Sequence, residues 1–201
     1  MPISRLPPAA DLTTLARHVR SDDAALRRAR ERHLRLAATT DATTTGAMLD
    51  WAERGEALTI RTVAGRLVHG RVSFVAGDAV GIGRAWDVEG GDRLGGAVGV
   101  GAGITLVPLR AIAVVRVDGP ARDVSGTRAA PRPITFATLI GDLAASRAVV
   151  SIAVAGEPLL LAGQLRSASA EVLTLRLPGR HPVIAVIGLD QLSELTVLAS
   201  G

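Results

Sequence analysis

Residues 58–82, LTIRTVAGRLVHGRVSFVAGDAVGI, and residues 149–175, VVSIAVAGEPLLLAGQLRSASAEVLTL, decide the fold. In each, alternating apolar residues lead to a glycine turn, then a second strand carrying a glycine (Gly70, Gly163), then another polar turn. Alternation with a period of two marks a half-buried strand, and glycine or polar pairs between such runs mark hairpins. In the first stretch Leu58, Ile60 and Thr62 alternate, Gly65 turns the chain, Val68, Val72 and Phe74 continue, and Gly77 and Asp78 form the next turn before AVGIG (79–83). Both copies also end alike, in LVPLRAIAVVRV (106–117) and VIAVIGLDQLSELTVL (183–198), each an apolar strand tightly joined to another. The chain is therefore a tandem duplication.

A helix precedes each copy. GAMLDWAERGE (46–56) is expected to start at an N-cap Thr45 and stop at Gly55, while TFATLIGDLAASR (135–147) places Phe136, Leu139, Ile140 and Leu143 on one face. One helix and five short, bent antiparallel strands predict a small barrel that closes its own edge, with Gly70 and Gly163 at the bends. The expected fold class is thus mainly β with helices: two tandem five-stranded Sm-like or SH3-like barrels, each behind a short helix, plus an N-terminal Arg-rich helix. The expected boundaries are 1–44 for the Arg-rich helical segment, 45–117 for the first barrel, 118–133 for a Pro- and Gly-containing linker, and 134–201 for the second barrel.

At these residues the sequence resembles the Sm-like superfamily shared by Sm, LSm and Hfq proteins. GRLVHGRV is similar to the first Sm motif and LVPLRAIAVV to the last two strands of the second. The overall layout resembles a group of proteins from high-GC bacteria, sometimes labelled Fis-family transcriptional regulators, in which an Arg-rich helix precedes two such barrels. The resemblance implies the fold. It does not extend to the base pocket of Sm proteins: Asp78 lies two residues later than their Asp, Gly81 stands near their Asn, and the second copy has Ser169 and Glu171 there.

The 201 residues are 48% hydrophobic and 21% charged, a balance that builds a core and excludes general disorder. There is no cysteine, which removes disulfides, thiolate metal sites and thiol nucleophiles. The only aromatic residues are Trp51, Phe74, Trp86 and Phe136, so Val, Leu, Ile and Ala must fill the interior. The uncharged stretch Leu94–Leu109 is too short and glycine-rich for the roughly 20 apolar residues of a membrane span, and MPISRLPPAADL lacks the apolar core of a signal peptide. A cytoplasmic protein without membrane contact is expected.

The net charge of +4 is carried by 23 basic residues, all arginine, against 19 acidic ones. Seven of them, Arg17, Arg20, Arg27, Arg28, Arg30, Arg32 and Arg35, fall in one segment, and the rest of the chain is balanced. Leu12, Leu15, Val19, Asp22, Leu26, Ala29, His33 and Leu36 recur at alternating spacings of three and four in that segment, a heptad-like helical seam with two polar interruptions. These arginines are the candidate nucleic-acid contacts, and with no aromatic residue among them they would meet RNA or DNA phosphates rather than bases. The other reading is a solvated helix face whose seam docks on protein.

No catalytic constellation emerges. His18, His33, His69 and His181 have no metal-ligand spacing, no G-x-S-x-G elbow occurs, and the glycine cluster GGAVGVGAGI runs into a strand rather than a helix, unlike a phosphate loop. Trp51 is expected to pack on the first barrel and Trp86 to be a contact residue or a lid. The sequence therefore reads as a non-enzymatic binding protein with no cofactor and no metal. It is RNA- or DNA-associated through the basic helix or, alternatively, a scaffold that self-associates or docks a protein partner through barrel edges and the helix seam.

Overall fold

The computed structural model describes residues 43–83, 103–119 and 131–198, together with Arg27, Arg28, Arg30 and Glu31. The chain divides into two units, Met1–Asp41 and Ala42–Gly201, so both sequence repeats lie in one unit. In the first unit Arg27, Arg28, Arg30 and Glu31 are helical and exposed.

The second unit is mainly β with two helices among its described residues. Helix α1 (Thr44–Arg54) is followed by β1 (Ala57–Thr62), β2 (Leu67–Val75), β3 (Ala79–Gly83), β4 (Thr105–Pro108), a 3-10 turn (Leu109–Ala111) and β5 (Ile112–Val117). The second repeat gives α2 (Phe136–Ala145), β6 (Val149–Val154), β7 (Leu161–Ala168), β8 (Val172–Leu177), β9 (Val183–Gly188), a 3-10 turn (Leu189–Gln191) and β10 (Leu192–Val197). Register confirms the repeat residue by residue: Leu58 stands opposite Gly70 as Val150 does opposite Gly163, and both second strands carry a bulge at the same place, between Val72 and Phe74 and between Leu165 and Ser167.

The ten strands do not form two separate sheets. They pair antiparallel into one open sheet in the order β5-β1-β2-β3-β4-β10-β6-β7-β8-β9. Within each repeat the last strand lies beside the first, but the sheet does not close there: β4 pairs with β10 across the repeats, leaving β5 and β9 as the two ends among the described residues.

The helices form where expected, with one correction. The N-cap of α1 is Thr43, whose hydroxyl accepts from the Gly46 amide at 3.0 Å, and not Thr45, which lies inside the first turn. Gly55 ends the helix in the left-handed conformation at φ 62°. Thr135 caps α2 in the same way, and Phe136, Leu139, Ile140 and Leu143 are all buried.

Two cores result. One gathers Met48, Leu58, Ile60, Val72, Val80 and Ile82 under α1, with Trp51 packed against it. The other surrounds α2 and the second repeat, yet it also takes Phe74, Ala76, Ala79 and Leu106 from the first. These residues bind the repeats into one body. The segment before α2 is also pinned, because Gly77 donates to the Ile134 carbonyl at 3.0 Å and Arg132 to that of Val75 at 3.2 Å.

The glycines of the second strands are required by proximity. A Cβ on Gly70 would lie 2.1 Å from the Gly83 carbonyl oxygen, and one on Gly163 would lie 2.4 Å from that of Arg176. Both neighbours are backbone and cannot rotate away. Gly70→Ala and Gly163→Ala are each expected to destabilise the protein by about 1–3 kcal/mol in urea denaturation, as overpacked sites do. Gly141→Ala, in the middle of α2 with open space around it, is expected to add about 0.5–1 kcal/mol.

Candidate functional site

The two repeats meet at the pairing of β4 with β10. Leu106 stands opposite Leu195 and Thr105 opposite Thr196, whose hydroxyls share a hydrogen bond at 2.9 Å. The ladder is extended by Gly103 donating to the Val197 carbonyl at 2.9 Å and Val197 to that of Ile104 at 3.0 Å. Leu106 and Leu195 are fully buried in the shared core.

Polar groups fix the register around this apolar centre. Arg66, in the turn before β2, donates to the carboxylate of Glu194 on β10 at 2.6 Å, and Glu194 is buried. Arg110 reaches from its 3-10 turn to the carbonyls of Leu189 and Asp190, and its guanidinium carbon lies 5.9 Å from the centre of the Phe136 ring. Asp78 accepts from the Phe136 amide at 2.6 Å, tying the β2–β3 turn to the start of α2.

The ends of the sheet look different. On β9, Val183, Ile184 and Val186 are exposed, and the strand carries no charge and no proline. On β5, Val114 is exposed and only Arg116 is charged. An end strand presents a row of unpaired backbone groups, and proteins ordinarily protect such rows with charges, prolines or bulges. β9 has none of the first two along its length. Leu159 and Leu160, in the turn before β7, add further exposed apolar surface.

Of the sequence-derived site residues, Arg27, Arg28 and Arg30 are helical and exposed, whereas Arg17, Arg20, Arg32 and Arg35 lie outside the described residues. Trp86, His18 and His33 lie outside them too. His69 is on the exposed face of β2, where its Nδ1 and the Thr59 hydroxyl are 2.8 Å apart, and His181 is exposed. Asp78 is engaged as the partner of α2, and the Phe74 ring occupies the place of a side chain at Gly81: a Cβ there would come within 2.3 Å of it. β3 thus has no room for an Asn at that position. Its second-repeat counterpart is closed by Ser169 and Val172, which bond to each other through backbone and hydroxyl.

Among the described residues no group of three or more His, Asp or Glu side chains is placed to hold a metal, and no helix is long and apolar enough to cross a membrane. A shallow, open recess between Gly163, Arg176, Pro178 and Pro182 offers Arg176 as its charged side chain. No protein-family profile, curated protein or solved structure matches this chain.

The exposed valines and isoleucine of β9 were not singled out from the sequence. The signal was present: VIAVIG is apolar on both faces, the pattern of a strand covered on both sides. At the junction, Arg66→Ala is expected to cost about 1–3 kcal/mol, because it leaves the Glu194 carboxylate buried without its cation, a loss moderated by the 40% exposure of Arg66. Adding Glu194→Leu to that variant is expected to restore most of the loss in thermal or urea unfolding.

Proposed function

We propose that this protein is a non-enzymatic docking scaffold that takes on partner strands at the two ends of its sheet. The observation that carries the reading is β9, an uncharged end strand with apolar side chains exposed toward both faces. Strand addition to such an end supplies backbone hydrogen bonds for affinity and side-chain contacts for specificity. The Sm-like reading of each repeat, as a helix-led five-stranded unit left open rather than closed on itself, is supported by the leading helix, by the repeated order of five strands and by the glycine within each second strand.

Val114→Arg and Val186→Arg together place a charge on each end at exposed positions. The doubly substituted protein is expected to keep the thermal stability of the parent and to lose the protein complexes that the parent forms, as read by cross-linking with mass spectrometry. Retention of those complexes by the substituted protein would overturn the reading.

A second reading concerns the first unit. Arg27, Arg28 and Arg30 are three exposed cations on one helical stretch, a surface suited to phosphates. If RNA or duplex DNA is the partner, fluorescence anisotropy should give an affinity that falls with salt, with a log–log slope of roughly −0.7 to −0.9 per phosphate neutralised. Arg27→Ala, Arg28→Ala and Arg30→Ala together should flatten that slope. Absence of binding at low salt removes this reading and leaves the docking ends untouched.

A further inference from the structure

We infer that the outward face of strands β5, β1 and β2 in the first repeat docks an acidic polypeptide segment that also carries aliphatic side chains. This surface is a face of the sheet, separate from the strand ends, and it stands without the docking reading above. Strand register builds it. Thr59 on β1 stands opposite both Arg116 on β5 and His69 on β2, which sets the three side chains in one row on one side of the sheet. The next row on that side is Val114, Arg61 and Leu67, because Arg61 stands opposite both of the others. Beyond the His69 row, Arg71 stands opposite Ala57, and the Asp118 amide donates to the Ala57 carbonyl at 2.9 Å.

Three arginines and a histidine therefore share this face, with the Asp118 carboxylate at its corner. Arg61, His69, Arg71 and Arg116 are all exposed. Arg61 and Arg116 are diagonal neighbours on adjacent strands, about 7 Å apart at the backbone, so their charges repel. Among the described residues the salt bridges engage Arg54 and Arg66, and none of Arg61, Arg71 and Arg116 takes part in one. The Thr59 hydroxyl lies 2.8 Å from the Nδ1 of His69 and holds the ring, which leaves Nε2 as the nitrogen open to a ligand.

The second repeat shows that the fold does not require these cations. Matched through the same registers, its counterparts are Ala153 for Arg61, Ala162 for His69, Gln164 for Arg71 and Thr196 for Arg116. Two copies of one unit thus keep the same strands and bulges while one copy alone gathers like charges on this face. Such a cluster works against the compact state through self-repulsion, and an anionic partner removes that cost. The uncharged neighbours decide what kind of anion it is. Leu67 and Val114 flank Arg61 in its row and are 58% and 45% exposed, and Val63 in the adjoining turn is 61% exposed. A nucleic acid would meet the arginines but leave these aliphatic groups in water, and the face has no aromatic side chain on which a base could stack. A polypeptide with interspersed acidic and aliphatic residues satisfies both halves of the surface. Its carboxylates accept paired hydrogen bonds from the planar guanidinium groups, and its aliphatic side chains cover Leu67 and Val114.

The test selects binders to the full chain from a displayed library of random dodecapeptides. The selected peptides are expected to combine Asp or Glu with Leu, Ile or Val, and their synthetic forms to bind in fluorescence anisotropy with an affinity that falls as salt rises. Arg61→Gln, Arg71→Gln and Arg116→Gln together should weaken that binding at least tenfold, and Leu67→Ser alone should weaken it several-fold. Gln164→Ala, at the counterpart of Arg71, and Val186→Arg, at the end of the sheet, should leave it unchanged. The substituted side chains on the face are all exposed, so the melting temperature of those variants should match the parent. Selection of no peptide, selection of peptides without an acidic bias, or binding that survives the triple substitution overturns the inference. Loss of peptide binding in Val186→Arg does so too, by moving the contact to the strand end. A short single-stranded RNA that binds the parent more tightly than the selected peptides, and is lost in the triple variant, overturns it by giving the face to nucleic acid.

Discussion

The pairing of β4 with β10 is the contact on which the rest of the fold depends. It makes one sheet out of two repeats, and it places Leu106 of the first repeat inside the core of the second. Around it converge the clasp of Arg66 on Glu194, the reach of Arg110 to the Leu189 and Asp190 carbonyls, and the bond from Asp78 to the start of α2. Removing this pairing would expose leucine and alanine surface on both halves and leave Glu194 without its cation. The repeats are therefore a single folding body in energetic terms, although the sequence presents them as two beads.

Much of that body was legible in the amino-acid sequence. Alternation and glycine turns located all ten strands, and the duplication predicted that both halves would have the same order. What could not be read was partner choice between strands. A fourth strand such as TLVP carries the same apolar signal whether its neighbour comes from its own repeat or the other, so closure of each barrel on itself was a fair expectation that the structure does not bear out. The helix start moved from Thr45 to Thr43 because both residues are competent caps, and only the extended backbone at Thr43 decides between them.

Position by position, the candidate site was less legible than the fold. Charge drew attention to Arg17–Arg35, of which Arg27, Arg28 and Arg30 are described and exposed. The ends of the sheet carry almost no charge and so gave no such signal. Their evidence is a mismatch between sequence and surroundings: VIAVIG is written for burial on two faces, and in the single chain it has burial on only part of one. Such mismatches become visible only when strand order is known. The same holds for Gly81, which in the sequence stands near the Asn position of Sm proteins and in the structure lies on β3 beneath the Phe74 ring.

The stretch 118–133 takes on a different meaning once the β4–β10 pairing is known. By joining β5 to α2 it holds two mutually adhesive surfaces on one polypeptide, which raises their effective concentration to the millimolar range typical of short tethers. A contact maintained at that concentration tolerates a buried charged clasp, with its desolvation cost, that a contact between free molecules could not sustain as easily. Covalent linkage thus relaxes the demand for raw adhesion at one seam, where Arg66 and Glu194 serve as a registration key, while surfaces without a tether must rely on grease.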